Sequence, residues 1–476
     1  MASGIWDPAG KPIRPGFYMR FIAAALAAIQ PGARGIVAIP VKANWGPVKQ
    51  VVEITSEKGL VDILGTDTGG GFTAYTCVRM CLLGRPKTIL AYRLADGSEA
   101  KAGITLKDSA ALDVLRLTTK YETTRDFKVA VQDNIQDETK QDIVLYEGAR
   151  RLHTYTFAKG AAVDNAVAAV SDGANNVWLE AQKLAAGSGT IANVATQPLT
   201  GGNAGVANVI TADYLGAMDA FEARQFQGFA LDGAADASLQ ASVRAWVERL
   251  RDEGKKVIAY LGGSAVDDQT PATANARSTG FNHEGVVNVG TSVELAGTWW
   301  PSAVAACYVA GRGTGQRLAE SLTYAATPFT DVAPRLTHNQ VVRALQSGTL
   351  VFVHDGEKVI IEQGINTLTS LREGQGRAWR KVKPIRIMDA IDMDTAQAAH
   401  DAYIGKVLNN EDGQAAVLSA IKNYFETLSP ALLAPDFVVE TDRDLQANAE
   451  SDEFYWRYEA TIIDSMEKIY GTGYIK

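Results

Sequence analysis

Apolar positions along the chain switch repeatedly between two periods. Residues 35–41 and 48–54 are β-branched runs of strand length, residues 72–83 repeat their apolar side chains at helical spacing, and residues 87–92 return to a strand pattern. The same alternation resumes after residue 205. A helix is predicted at 212–223, a strand at 228–231, and an amphipathic helix at 235–253 with Leu239, Val243, Trp246, Val247 and Leu250 along one side. Strands follow at 257–261 and 286–289, and helices near 302–311 and 338–347. Residues 350–353 and 359–361 flank Asp355-Gly356, a two-residue hairpin signal. Alternating strands and helices predict a layered α/β domain.

Between its two halves the texture changes. Short β-prone stretches at 127–131, 143–146, 154–157 and 177–179 are separated by Asp, Asn, Gly and Ser, which predicts an inserted β-rich domain with residues 185–205 as its exit loop. The last block predicts a strand at 384–390, helices at 395–408 and 412–428, and strand-like runs at 437–440 and 455–463. The fold class is therefore an α/β core (residues 21–95 with 206–370), an inserted β-rich domain (96–205) and a C-terminal α+β domain (371–463), with extended arms at 1–20 and 464–476.

Those arms are unusual. Pro8, Pro12 and Pro15 with Gly4, Gly10 and Gly16 forbid a helix near the N-terminus. Yet the segment carries Ile5, Trp6, Ile13, Phe17 and Tyr18, and the other end carries Ile469, Tyr470, Tyr474 and Ile475. Solvated tails are poor in such side chains, so these segments want a surface to lie on. Twenty extended residues reach at most ~65 Å, whereas a compact chain of this length has a radius of gyration of ~23 Å. An arm can leave its own body and pair with another subunit; folding back on its own domain is the alternative.

Composition narrows the functions. The 476 residues are 46% hydrophobic and 21% charged, with a formal net charge of −8. An acidic chain without clustered Lys and Arg is no nucleic-acid binder; the longest basic run, 377–383, is broken by Ala378, Trp379 and Val382. No stretch approaches the ~20 apolar residues of a membrane span. The apolar nine-residue run at 21–29 follows a Pro- and Gly-rich segment unlike a secretory leader, which leaves a secreted surface protein as a minor rival. Cys77 and Cys81, four apart on one helix face, have no His or further Cys near them and read as core residues.

One segment raises catalysis. Asp392 and Asp394, in the segment Ile385-Arg-Ile-Met-Asp-Ala-Ile-Asp392-Met-Asp394, resemble the first motif of haloacid-dehalogenase phosphatases, in which two aspartates at a strand end serve a magnesium-dependent phosphoryl transfer. A phosphohydrolase using Asp392 and Asp394 is therefore an alternative function. Against it, the motif stands about eighty residues from the end, leaving little room for the rest of such a site. The competing expectation is that the two acids open the next helix. The glycine-rich stretches 311–316 and 67–71 are read as turns, and the stretch 409–413 as a link between two helices. No catalytic residue, cofactor or metal is expected.

Several segments together resemble the tail sheath proteins of contractile-tailed phages, in the form found in prophages of Gram-positive bacteria. They are Arg14-Pro-Gly-Phe-Tyr-Met, Arg34-Gly-Ile-Val-Ala-Ile-Pro with Asn44-Trp-Gly-Pro47, Leu199-Thr-Gly-Gly-Asn-Ala-Gly205 and Trp300-Pro-Ser-Ala-Val-Ala-Ala-Cys-Tyr-Val-Ala-Gly311. To these add Gly356-Glu-Lys-Val-Ile-Ile-Glu-Gln-Gly-Ile-Asn-Thr-Leu and Tyr403-Ile-Gly-Lys-Val-Leu-Asn-Asn-Glu-Asp-Gly413. The resemblance implies a non-enzymatic virion-tail subunit, assembled in the host cytoplasm, that stacks in hexameric rings around an inner tail tube protein. Terminal arms would add strands to neighbouring copies, and contraction would drive the tube through a cell envelope. It further implies a tube-facing surface within residues 395–428, and baseplate and tail terminator proteins as partners, with no nucleic acid and no membrane insertion. The sheath of a phage-derived bacteriocin or injection system is the close alternative.

Overall fold

The structure is a computed structural model that describes residues 2–4, 16–18, 29–32, 34–173, 177–188 and 190–475. The chain divides into two compact units, Arg34–Arg317 with Leu322–Val382, and Met1–Ala33 with Leu318–Ser321 and Lys383–Lys476.

The larger unit is built on a seven-stranded sheet in the order Thr349–Leu350, Val286–Val289, Ile258–Gly262, Gly228–Ala230, Ile36–Val41, Thr88–Arg93, Val51–Ile54. All neighbours run parallel except the last pair, which is antiparallel. A parallel sheet needs cover on both faces, which is why these strands are runs of buried Val, Ile, Leu and Ala without a polar alternation. One face meets the helices Thr211–Glu222 and Ala237–Asp252, where Ala38, Leu90, Phe229, Ala259 and Leu261 gather with Phe221, Val243, Trp246 and Leu250. Trp246 sits edge-on to Phe229 at 5.0 Å and stacks on Phe226 at 5.9 Å.

The other face carries the helix Ser302–Gly315, which crosses the helix Ala74–Leu83 at glycine. A methyl group on Gly311 would lie 2.1 Å from the Cys81 carbonyl oxygen, and one on Gly84 would lie 2.3 Å from the Arg312 nitrogen. The glycine-rich stretch 311–316, expected to be a turn, is therefore mostly helix, and its glycines serve backbone-to-backbone packing. Cys77, Cys81 and Cys307 are buried in this layer, as their spacing predicted for the first two.

The inserted domain is a β-sandwich. Its four-stranded sheet runs Arg150–Ala158, Lys140–Glu147, Phe127–Asp133, Val194–Pro198, and its three-stranded sheet runs Leu179–Lys183, Asp113–Thr119, Gly103–Lys107, all neighbours antiparallel. Cross-strand pairs Val129–Leu145 and Val131–Ile143 face Leu115, Leu117, Tyr155 and Phe157 in one core. A helix, Ala162–Ser171, closes it and was not anticipated. The expected exit loop 185–205 contains the strand Val194–Pro198, whose polar sequence hides it because four of its five residues are exposed.

Other expectations need correction. The predicted hairpin turn of two residues is a link of four, since His354 pairs with Val359 and the Asp355 N–H donates to the Lys358 carbonyl; Leu350 belongs to the core sheet instead. The helix Glu57–Leu64 and the small sheet of Ser292–Leu295 with Thr298–Trp300 and Asp331–Ala333 gave no usable signal.

In the second unit, the predicted strand 384–390 is part of one helix, Val382–Ala398. The β-branched Ile385 and Ile387 suggested period two, but Ile387 and Ile391 are four apart and share the buried face, while Pro384 sits in the first turn, where proline is tolerated. The helix expected at 395–408 ends at Ala398 in a π-type turn, Ala399–Tyr403. Glu411–Leu428 is a helix as expected, capped by the Asn410 side chain, which accepts from the Gly413 N–H. Ile29, Ile387, Ile391, Ile421, Tyr424, Phe425 and Leu433 form this unit's core.

Candidate functional site

The C-terminal hairpin pairs Val438–Thr441 with Trp456–Glu459, from Val438 opposite Glu459 to Thr441 opposite Trp456. Among the described residues no third strand joins it. The outward N–H and C=O groups of both strands are thus left without a sheet partner, a template for strand addition. A two-stranded sheet is marginal alone; this one survives by lying on the helix Glu411–Leu428, where Phe425 approaches Tyr458 at 5.1 Å and Phe437 at 5.6 Å edge-on.

The predicted arm residues fall in two sets. Ile5, Trp6 and Ile13 lie outside the described residues, and Phe17 and Tyr18 belong to a three-residue strand, Gly16–Tyr18, that pairs in parallel with Ala2–Gly4. At the other end Ile469, Tyr470, Tyr474 and Ile475 are 81%, 88%, 90% and 101% exposed. Residues 464–475 form neither helix nor strand.

Asp392 and Asp394 stand in the second half of the helix Val382–Ala398, neither at a strand end nor at a helix start, which overturns both expectations for them. Two residues apart on a helix, they point to opposite sides: Asp392 is exposed and Asp394 is 3% exposed. The Asp394 carboxylate accepts from the Gly32 N–H at 2.9 Å and from the Tyr424 hydroxyl at 2.5 Å. It ties the segment carrying Ile29 to both helices, a structural task that fixes the root of the N-terminal arm.

The place where open parallel sheets usually bind ligands is also accounted for. Strand order reverses between Ile36–Val41 and Gly228–Ala230, and the crevice beyond their C-terminal ends is the customary site. Here Lys42 Nζ lies 3.1 Å from Asp232 Oδ2, and the fully buried Asp232 side chain also accepts from the Tyr214 hydroxyl and the Thr73 hydroxyl, each at 2.7 Å. Burial, with Asp232 beside it, holds the Tyr214 phenol far above its ordinary range. The protein's own side chains satisfy one another where a substrate would otherwise bind.

Sequence reasoning quoted Asn44 and Trp45 without giving them a task. Trp45 leaves the core and enters the sandwich, 5.2 Å from Tyr121 and 5.5 Å from both Phe127 and Trp178, with the Arg125 guanidinium over three of these rings. Asn44 Oδ1 accepts from the Thr123 hydroxyl and from the Thr124 N–H and hydroxyl at 2.8–3.1 Å. The lone signal was a Trp-Gly-Pro turn outside any periodic segment.

An open-edged hairpin and an exposed, apolar C-terminal segment suit a structural subunit, and comparison with known proteins defines which. Residues 34–94 match the tail sheath protein Gp18 domain III N-terminal region, 95–207 the phage tail sheath protein beta-sandwich domain, 207–367 the phage tail sheath protein central domain, and 375–476 the phage tail sheath C-terminal domain. The chain belongs to the phage tail sheath protein family. It is 26% identical to the phage-like element PBSX protein XkdK of Bacillus subtilis (strain 168), over 99% of both chains. The sheath tail protein of Desulfitobacterium hafniense, 29% identical, matches with a TM-score of 0.71 over 94% of this chain and 100% of that one. The anti-feeding prophage helical sheath in its contracted state shares the fold, with a TM-score of 0.54 and 12% identity over 97% of this chain and 99% of that one.

Proposed function

We propose that this chain is the repeating subunit of a contractile tail sheath, polymerising in hexameric rings around an inner tube and shortening to drive that tube through a cell envelope. The observation that carries the reading is the two-stranded hairpin with open edges, in a chain whose C-terminal residues Ile469, Tyr470, Tyr474 and Ile475 are apolar and exposed. Each arm would complete the hairpin of another copy, seating Ile5, Trp6, Ile13, Phe17 and Tyr18 from one end and Ile469, Tyr470, Tyr474 and Ile475 from the other. Main-chain bonds contribute a net ~0.5–1.5 kcal/mol each, and repetition around every ring multiplies a modest contact into a strong linkage. Linked arms leave the bodies free to turn, so the mesh persists while the sheath changes length.

The inner tail tube protein would lie against the helical region 395–428, and baseplate and tail terminator proteins would bound the polymer. The subunit acts without catalysis or cofactor, assembles in the host cytoplasm and works in the virion tail. A bacteriocin or injection-machine sheath is the second reading; what favours it is the relative from a phage-like element and the fold shared with the anti-feeding prophage sheath. Deleting residues 1–20 tests the arm. The truncated protein is expected to stay folded and monomeric in negative-stain images and sedimentation; normal cylinders would refute the arm's role.

A further inference from the structure

We infer that Arg93 is the positioning residue that fixes the direction in which the inserted β-sandwich leaves the core. Arg93 is the last residue of the strand Thr88–Arg93, just before the chain departs for the sandwich, and its side chain is completely buried. Nη1 donates to the Gly46 carbonyl at 2.6 Å, and Nη2 donates to the carbonyls of Glu122 at 2.8 Å and Ala204 at 3.2 Å. These three acceptors come from separate pieces of chain: the loop after the first core strand, the body of the sandwich, and the chain returning from it. One planar guanidinium therefore holds core, domain and return path together.

The chemistry is costly enough to need a reason. Among the described residues no carboxylate hydrogen-bonds this guanidinium and Nε has no hydrogen-bond partner; its donors meet carbonyl oxygens, with the Glu122 and Glu99 carboxylates acting only from farther off. Burying a charge on such terms is unfavourable, and burial draws the Arg93 pKa down to about 10, which still leaves it charged at neutral pH. Packing alone would have been met by an apolar side chain. What an apolar side chain lacks is three directed donors.

The connection is made by a pair of chains and by the loop carrying Asn44, Trp45 and Gly46. Outgoing and returning chains run as a narrow ladder, with Asp96 N–H to the Gly205 carbonyl at 2.8 Å and mutual bonds between Ala100 and Asn203 at 2.8 and 2.9 Å. Two strands paired in this way swing readily about their root unless a third point is held. Arg93 supplies one such point, buried at the root itself, through Gly46, whose own orientation is set: its φ is +95° and a methyl group there would lie 2.5 Å from the Ile63 carbonyl oxygen. Asn44 and Trp45, the two preceding residues, grip the sandwich from the same loop.

The test is made on the full chain, with spin labels at E138C in the sandwich and D252C in the core; both native positions are exposed and all three native cysteines are buried. Pulsed dipolar spectroscopy of the soluble subunit reads the distance distribution between them. In R93M the distribution is expected to broaden about twofold, while amide exchange within Phe127–Asp133 and Lys140–Glu147 keeps its parental protection. R93K, which keeps the charge but not the planar fork, is expected to fall between and stands in if R93M does not fold. Parental width in every variant that folds, or broadening only alongside lost sandwich protection, overturns the inference. The readout is independent of polymerisation, so it stands or falls separately from the sheath reading.

Discussion

Phe229 and Phe425 are both fully buried, yet they lie under sheets of opposite character. Phe229 belongs to a seven-stranded sheet covered by helices on both faces, whose strands find their partners inside the unit. Phe425 supports two strands with free outer edges, and Val438 and Tyr458 on them remain 46% and 41% exposed. Charge divides in the same way. Residues 383–476 carry 17 acidic and 8 basic side chains, a balance of −9, while the other 382 residues carry 37 and 38, a balance of +1. The first region is closed on both faces; in the second, no third strand joins the hairpin among the described residues. An acidic surface of this kind disfavours close approach of like copies; under the proposed reading, association would therefore be directed to the arms.

The largest effect should come from the open-edged side. Removing residues 464–476 is expected to abolish polymerisation measured by sedimentation, with the circular dichroism of the subunit nearly unchanged; undiminished polymer would erase the contrast. Next, Phe229→Ala and Phe425→Ala should each cost about 3–5 kcal/mol, but hydrogen exchange should speed up in the core sheet for the first and in the hairpin for the second. Gly311→Ala places a methyl group against the Cys81 carbonyl and should destabilise the core by about 1–3 kcal/mol, read as a lower Tm.

A smaller effect depends on pH. Burial holds the His283 pKa below its ordinary value, and its Nδ1 accepts from the Gly285 N–H at 2.9 Å. The folded state thus binds a proton less readily than the unfolded chain. Its contribution is complete above the unfolded pKa near 6.5 and is lost as pH falls through that value toward the folded one. His283→Gln should flatten the stability profile between pH 7 and 5 (about the range in which histidine titrates). Smallest is Arg457→Ala, which removes a half-exposed cross-strand partner of Glu440 and should cost less than about 1 kcal/mol in urea titrations.

The closed region was the legible one. Its strands are buried on both faces, so continuous Val, Ile and Leu runs mark them, and Ala237–Asp252 declares itself by a one-sided apolar stripe. Elsewhere two segments misled in opposite ways. Ile385 and Ile387 mimicked a strand inside a helix, and Val194–Pro198 in the sandwich was polar enough to pass for a loop. At the candidate sites, the C-terminal apolar residues expected to be uncovered are exposed, while Ile5, Trp6 and Ile13 lie outside the described residues. Asp394, expected to open a helix, lies inside one, because Val382–Ala398 begins ten residues before Asp392; its partners, the Gly32 N–H and the Tyr424 hydroxyl, are distant in sequence. Arg93 was invisible, since its acceptors are carbonyls of residues 46, 122 and 204.

Hydrogen–deuterium exchange at the amides of Val438–Thr441 and Trp456–Glu459, compared between dilute subunit and polymer, tests the central claim most directly. The outward-facing amides should exchange freely in the subunit, become protected in the polymer, and stay unprotected when residues 1–20 are deleted. Protection already complete in the dilute subunit, or unchanged on polymerisation, would contradict the account.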